Sequence, residues 1–149
     1  MRIYIKNQQR LIKVDQHRIR RDLRKAVHLL SLHRAELSIL FVNDRRMKIL
    51  NRQYRGIERT TDVLAFPQIA ERTHTLELRT QNVILGDIVI NLHQAKRQAA
   101  EHCLTFTEEL RMLMIHGLLH LIGYDHERSQ YAKRKMEKKK LELLAGLGK

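Results

Sequence analysis

The sequence predicts a single domain of the α+β class, from the length of the chain and from two kinds of periodic segment. A chain of 149 residues with 43% hydrophobic content can build one core and is too short for two. Four short segments have strand character, and about five longer ones carry apolar side chains at helical spacing. The longest apolar run, residues 110–122, is broken by Arg111 and two histidines, and the N-terminus lacks the apolar region of a signal peptide. We therefore expect a soluble protein that is not secreted.

The N-terminal part of the chain alternates two predicted strands with two predicted helices. Residues 2–6 alternate apolar and polar side chains, as in a strand with one buried face. Asp15 is a suitable N-cap for the amphipathic helix that follows, whose outer face is basic. Residues 36–43 are rich in strand-forming side chains, and Asn43 or Asp44 can cap the next helix. The side chains expected to face inward from that helix are Met47, Leu50 and Tyr54.

Two further strands are predicted around a polar stretch. Residues 61–66 have strand character and are stopped by Pro67, the only proline, which indicates a strand near a sheet edge. Gln68 to Asn82 has no clear period, so we expect an irregular or mobile loop there. Residues 83–91 return to strand character, and Asn91 can cap the helix that follows.

The C-terminal part of the chain is predicted to be helical. Thr105 and Glu108 form a capping box, which predicts that a helix starts at about Phe106. Because that helix is almost wholly apolar, we expect it to be central and buried. A final helix should follow His126, and the side chains expected to face inward from it are Tyr131, Met136, Leu141 and Leu144.

Net charge is the strongest compositional signal. The chain has 29 Lys and Arg against 16 Asp and Glu, a net charge of +13. Such a surface attracts polyanions, and we expect nucleic acid or ribosomal RNA. The alternative is a heat-adapted surface rich in ion pairs, but that enrichment should add both signs and the excess is one-sided. With four Tyr, three Phe and no Trp, no base-stacking platform of the usual single-strand-binding kind is evident.

The segment HGLLHLIGYDH, residues 116–126, carries a candidate metal site. In a helix over residues 106–122, His116 and His120 are four apart and project from one face. Gly123 lets the chain leave the helix, so that His126 can turn back toward the same ion. Three imidazoles with an open fourth position make a hydrolytic zinc site. Cys103 is the only cysteine, which excludes an internal disulfide and a thiolate cluster.

The spacing of the histidines favours a metal, and one position within it favours a phosphodiester substrate. A lone histidine in an apolar helix is usually a hydrogen-bonded core residue. The pattern H-x3-H-x2-G-x2-H, however, matches the metzincin metalloproteases in every position but one. Where a zinc peptidase has its general-base glutamate, this chain has Gly117. Without that carboxylate a peptidase loses the group that deprotonates its water, so we favour RNA over peptide as the substrate.

Four sequence blocks together resemble a known family. HGLLHLIGYDH, YRG at 54–56, TTDVLAFP at 60–67 and LGDIVI at 85–90 closely resemble the YbeY family of bacterial metal-dependent endoribonucleases, the rRNA maturation factors. The block at residues 60–67 has Ala65 where the family commonly has serine. The resemblance implies a small mixed sheet of about four strands packed by about five helices, a cytoplasmic location, and a role in 16S rRNA 3′-end maturation and ribosome quality control.

The resemblance also implies roles for individual residues. The metal ligands of the family fall on His116, His120 and His126, which would hold one zinc ion, and its functional arginine falls on Arg55. A guanidinium at that position is suited to a bidentate grip on phosphate. The implied partners are RNA, specifically 16S rRNA in the ribosomal subunit, and no membrane.

The carboxylates near these blocks have no assigned catalytic role. For Asp62, Asp87 and Asp125 we expect structural roles, with Asp87 at a turn and Asp125 as a cap or as a partner beside His126. Glu109 could contact a histidine of the site or accept a hydrogen bond behind it.

Two other functions stay open. A ribosome-binding factor whose zinc is structural would need a fourth protein ligand, for which His102 and Cys103 are the nearby candidates. A metalloprotease would need a carboxylate from elsewhere to replace the one missing at Gly117.

Overall fold

The sheet at the centre of the molecule is mixed and four-stranded. The computed structural model describes residues 1–69 and 80–148. The strands are β1 (Arg2–Asn7), β2 (Ala35–Val42), β3 (Val63–Pro67) and β4 (Val83–Asn91), and their order in the sheet is β1-β2-β4-β3. The first two strands and β4 run parallel, while β3 pairs antiparallel with β4. The position of β3 at an edge confirms the prediction from the proline at its end.

Five helices pack around this sheet in the described part of the chain. They are α1 (Gln16–Leu29), α2 (Asp44–Arg55), α3 (Leu92–Glu101), α4 (Phe106–Leu121) and α5 (Gln130–Leu147). Each begins after an N-cap side chain that accepts a backbone N–H, and these caps are Asp15, Asn43, Asn91, Thr105 and Ser129. The predicted caps of the first four helices are confirmed, as is the capping box of α4. None of these helices combines the length and apolarity needed to span a bilayer.

The main core lies on one face of the sheet. Alternate side chains of β2, namely Leu37, Ile39 and Phe41, are buried there among residues of α1, α4 and α5. Leu118 and Leu119 of α4 are fully buried, so this helix is central, as its apolar sequence predicts. The observed α+β class therefore agrees with the prediction.

The opposite face of the sheet is packed by α2 alone among the described helices. Met47 and Leu50 of that helix form a second, smaller cluster with Val42, Leu64 and Val89. This cluster lies over parts of β2, β3 and β4, and it includes no residue of β1.

The predicted inward face of α5 was partly wrong. Tyr131 is 71% exposed and Leu141 is 58% exposed, whereas the buried side chains are Met136, Leu143 and Leu147. A helix turns by about 100° per residue, so positions five residues from Met136 point well away from its face. The sequence offers two apolar stripes on this helix, and packing selects the one that continues to Leu147.

Tyr54 was also predicted to face inward, and it is 65% exposed. It follows Met47 by seven residues and Leu50 by four, so it lies on the predicted face of α2. Its ring contacts Phe66 edge-on, with 5.0 Å between the ring centroids. Helical spacing identified the correct face but could not show that the sheet beneath the last turn of α2 is uncovered.

The predicted turn at Asp87 was wrong, because this residue lies within β4 and pairs with Ser38 and Phe66. The irregularity lies instead in the register of β2 against β4, which shifts between Glu36 and Leu37. Such a bulge allows unusual backbone angles, and Gly86 has φ +135°. The predicted loop at 68–82 falls largely outside the described residues.

Candidate metal centre

The histidines of α4 owe their relative position to the helix itself. The capping box at Thr105 fixes where the helix begins, and His116 and His120 lie one turn apart near its end. Their Nε2 atoms are 3.2 Å apart. Nitrogens bound to one tetrahedral zinc ion at its usual bond length would be separated by about 3.3 Å. The two rings therefore have the spacing that a shared ion requires.

The turn after α4 brings the third histidine to the same place. Gly123 has φ +105°, and its N–H donates to the carbonyl of His120 at 3.1 Å. A second bond from the Tyr124 N–H to the Leu119 carbonyl, at 3.0 Å, closes the helix end. The ring of His126 then lies with its centroid 5.1 Å from that of His116.

The three rings have a donor geometry that fits a metal ion. One ring nitrogen from each of His116, His120 and His126 lies within 4.8 Å of the others. In addition, Nδ1 of His126 is buried and has no hydrogen-bond partner within the described residues. An unpaired buried nitrogen is costly, whereas a metal can compensate a histidine cluster for such burial. The three histidines could therefore bind a metal ion.

Burial favours the neutral form of the two helix histidines, His116 and His120, and this is the form that binds metals. Burial, followed by the neighbouring His120, Lys140 and His126, lowers the pKa of His116 to about 4. Burial, followed by His126, also lowers the pKa of His120. Both groups are therefore deprotonated at neutral pH, and a cation does not have to displace protons from them.

The histidines line a cavity of about 630 Å³ that also contains Arg55. This arginine is the last residue of α2, directly before Gly56, which has φ +69° and ends the helix. Its side chain is exposed. The remaining wall of the cavity comes from α2, from β3 and the segment before it, and from Gly117 and Glu127, and it includes Tyr54, Asp62, Ala65 and Phe66. Every residue singled out from the sequence as a ligand or phosphate contact thus borders one cavity.

Gly117 is a glycine for a packing reason. A Cβ at this position would be 2.8 Å from Cγ2 of Ile88 in β4, closer than side-chain atoms approach. The helix therefore lies directly on the strand at the position that carries the glutamate in zinc peptidases. A metalloprotease mechanism has no carboxylate at this point, and a side chain there would have to displace Ile88.

Glu109 serves a hydrogen-bond network behind the cavity. Its side chain is 2% exposed, accepts from Nε2 of Gln98 at 3.1 Å, and lies 2.9 Å from Nδ1 of His102. The same Gln98 amide donates to Asp62, which borders the cavity, at 3.2 Å. The sequence carried no signal for Gln98, because an amide on a helix is ordinary and its two partners lie 36 and 11 residues away.

This network bears on the predicted fourth ligand. Nδ1 of His102 forms a hydrogen bond with the carboxylate of Glu109, and Cys103 is exposed. Within residues 1–69 and 80–148, the group with metal-binding geometry consists of the three histidines. Asp125 accepts from the N–H of Glu127 at 3.0 Å, so it caps the local turn as expected.

Comparison with known proteins points to one family. The profile of a family described as endoribonuclease YbeY matches residues 4–148. A protein called endoribonuclease YbeY from Syntrophus aciditrophicus is 38% identical over 145 residues, which cover 96% of this chain and 88% of the relative. One from Persephonella marina is 45% identical over 112 residues, covering 75% and 70%.

A plant relative and a solved structure extend the comparison. The chloroplastic endoribonuclease YBEY of Arabidopsis thaliana is 44% identical over 113 residues, and this chain spans 18% of its length. The solution structure of TM1509 from Thermotoga maritima has a TM-score of 0.67 and 26% identity, and the match covers 97% of this chain and 88% of that one.

Proposed function

The chain belongs to the endoribonuclease YbeY family, and we propose that it is a single-strand-specific, zinc-dependent endoribonuclease that acts in 16S rRNA 3′-end maturation and ribosome quality control. One observation carries the proposal: the histidine cluster and Arg55 border the same cavity. A metal-binding group and an anion-binding group side by side suit the hydrolysis of a phosphodiester.

In this proposal His116, His120 and His126 hold one zinc ion. Three imidazole ligands would leave a fourth position for a substrate or a water molecule, as in catalytic zinc sites. Zinc supplies a Lewis acid that polarises a phosphoryl oxygen or lowers the pKa of water. The histidines would hold the ion, and because all three are half-buried they would shield one side of it from bulk water.

Arg55 binds the phosphate in this proposal. Its guanidinium can donate two parallel hydrogen bonds to phosphate oxygens and neutralise charge that develops during cleavage. Its position at the end of α2 supports this role, because that helix is anchored by the buried residues Met47, Leu50 and Asn51. The exposed side chain is therefore held at its base and free to reach into the cavity.

The charge of the molecule supports RNA as the substrate and the ribosomal subunit as the partner. A net charge of +13 attracts a polyanion over distances of about 10 Å at ordinary salt. We propose a cytoplasmic location because bacterial ribosomal RNA is processed there.

Replacing one ligand tests the proposal. We expect His116→Ala to lose both bound zinc and cleavage of single-stranded RNA, because the two remaining histidines are too few ligands to hold the ion. Zinc is measured by mass spectrometry of the purified protein and cleavage by gel analysis of labelled RNA. His17→Ala, at an exposed position of α1, is the matched control and should keep both. Equal cleavage by the metal-free variant would contradict the proposal.

A further inference from the structure

One face of the sheet carries a groove outside the candidate metal centre. On that face α2 packs over β3, β4 and the end of β2, and β1 is not part of the cluster beneath it. The uncovered area forms a groove of about 560 Å³ that crosses all four strands. Its lining includes Tyr4, Lys6, Ser38, Leu40, Asp87 and Phe66.

The groove is continuous with the cavity that contains the histidines. Tyr54 and Phe66 border both spaces, and their rings contact each other at the boundary. Arg55, the proposed phosphate contact, is the next residue along the chain from Tyr54. A nucleic-acid strand with its scissile phosphate at Arg55 therefore has the groove as a path for its flanking nucleotides.

The side chains of the groove suit the bases of single-stranded RNA. Tyr54, at the boundary with the cavity, is 65% exposed, and Tyr4, on the edge strand β1, is 49% exposed. Exposed aromatic rings on a four-stranded sheet stack bases in RNA-binding domains. Lys6 offers a charge for a phosphate, while Ser38 and Asp87 offer hydrogen-bond groups for base edges.

We propose that this groove is a nucleotide-binding subsite that holds the bases next to the cleaved phosphate, with Tyr54 and Tyr4 as stacking platforms. The proposal rests on the proposed function for its substrate class. Composition alone made no stacking platform of the usual kind evident, and this proposal needs only two exposed tyrosines beside a phosphate site. Four-stranded sheets in RNA-binding domains stack about two or three bases, and we expect a similar number in this groove.

Binding of a short single-stranded RNA that carries 2-aminopurine tests the subsite. The protein carries His116→Ala in every sample, so that proposed cleavage does not consume the RNA. We expect binding to quench the fluorescence of the base through stacking, and Tyr54→Ala to weaken binding about tenfold and abolish most of the quench. Tyr54→Phe should retain both because it keeps the ring. Tyr4→Ala should weaken binding by a smaller factor.

Tyr131→Ala is the matched control, since that tyrosine is 71% exposed on α5 and does not border the groove. It should bind RNA as the parent does. Circular dichroism of each variant checks the fold, which exposed side chains should leave intact. Unchanged RNA affinity and unchanged quench in both Tyr54→Ala and Tyr4→Ala would overturn the subsite. This is also the result expected if the groove accepts a protein segment instead of RNA. The protein with His116 intact is assayed separately for cleavage of RNA. If it does not cleave RNA, but the tyrosine variants still weaken RNA binding, the proposed function fails and the subsite stands.

Discussion

Arg55 shows how a single exposed side chain can be tied to a site by the element that carries it. It is the last residue of α2, a helix that buries Met47, Leu50 and Asn51, and it precedes a glycine with φ +69°. We expect Arg55→Ala to lower kcat/KM for RNA at least tenfold, equivalent to about 1.4 kcal/mol, because a charge-assisted contact to phosphate is lost. Zinc content should not change. The measurement is steady-state cleavage of a labelled RNA together with metal analysis.

Arg52→Ala is the control for Arg55, because Arg52 lies on the same helix and has an exposed guanidinium 3.9 Å from Glu58. It should retain most of the activity. Equal losses in the two variants would indicate a general charge effect and contradict a specific phosphate contact at Arg55.

The packing of Gly117 leads to a second prediction about a single residue. Adding a Cβ there forces Ile88 away from its packed position, so we expect Gly117→Ala to destabilise the fold by about 1–3 kcal/mol in denaturant unfolding. Ile88→Ala should also destabilise, through a cavity. The double variant should lose less than the sum of the two single losses, since the added methyl occupies the vacated space. Simple additivity would show that the contact between the two residues is not the cause.

At the scale of elements, α3 and α4 are joined by the pair of His102 and Glu109, 2.9 Å apart. The hydrogen bond to Glu109 is the main cause that raises the pKa of His102, and the charge of the same carboxylate adds to it. A raised pKa in the folded state gives stability that is complete below the ordinary pKa, about 6.5, and is lost as pH rises through the folded value. The pair therefore links the two helices most strongly in mildly acidic solution.

We expect His102→Ala to destabilise the protein more at pH 6 than at pH 8.5. Urea unfolding at both pH values gives the two differences in free energy, and taking each against the parent protein cancels the titration of other groups. His17→Ala is the control for loss of an exposed histidine. A loss that is the same at both pH values would mean that the histidine contributes through packing and not through its charge.

The elements themselves were largely predictable, because their signals are local. A capping side chain acts within three residues, so Asp15, Asn91 and Thr105 could be recognised as helix starts from the sequence. Burial of a particular side chain depends on the partner surface, which is not local. That is why Tyr54 and Leu141 were assigned to the interior although they are exposed.

Across the whole molecule, one buried ion pair connects distant parts of the chain. Arg111 of α4 donates to both carboxylate oxygens of Asp22 of α1, at 2.8 and 3.2 Å, and to the carbonyl of Gly148 at 2.7 Å. Asp22 is 3% exposed and Arg111 is 8% exposed. The charged residues are 89 positions apart. Nothing in the sequence pairs them, whereas the three histidines could be grouped because they lie within 11 residues.

Removing one partner of this pair tests its contribution. We expect Arg111→Ala to destabilise the domain by about 3–5 kcal/mol, because the Asp22 carboxylate is left buried without its charge partner. The free energy of unfolding in urea is the measurement. Arg21→Ala is the control, since Arg21 lies 3.9 Å from the same carboxylate but is 65% exposed, and its loss should cost under about 1 kcal/mol. Similar losses in the two variants would mean that burial of the pair is unimportant.

The contact between Gly117 and Ile88 also limits what this scaffold can become. A glutamate at position 117 would have to displace Ile88 from its packed position, so acquiring the peptidase residue carries a cost in stability. Shrinking Ile88 beforehand costs about 2–5 kcal/mol, a large fraction of the ~5–15 kcal/mol that keeps an ordinary domain folded. A change from RNA to peptide hydrolysis at this site would therefore lose stability before it gained a general base, and selection for a stable fold opposes that first step.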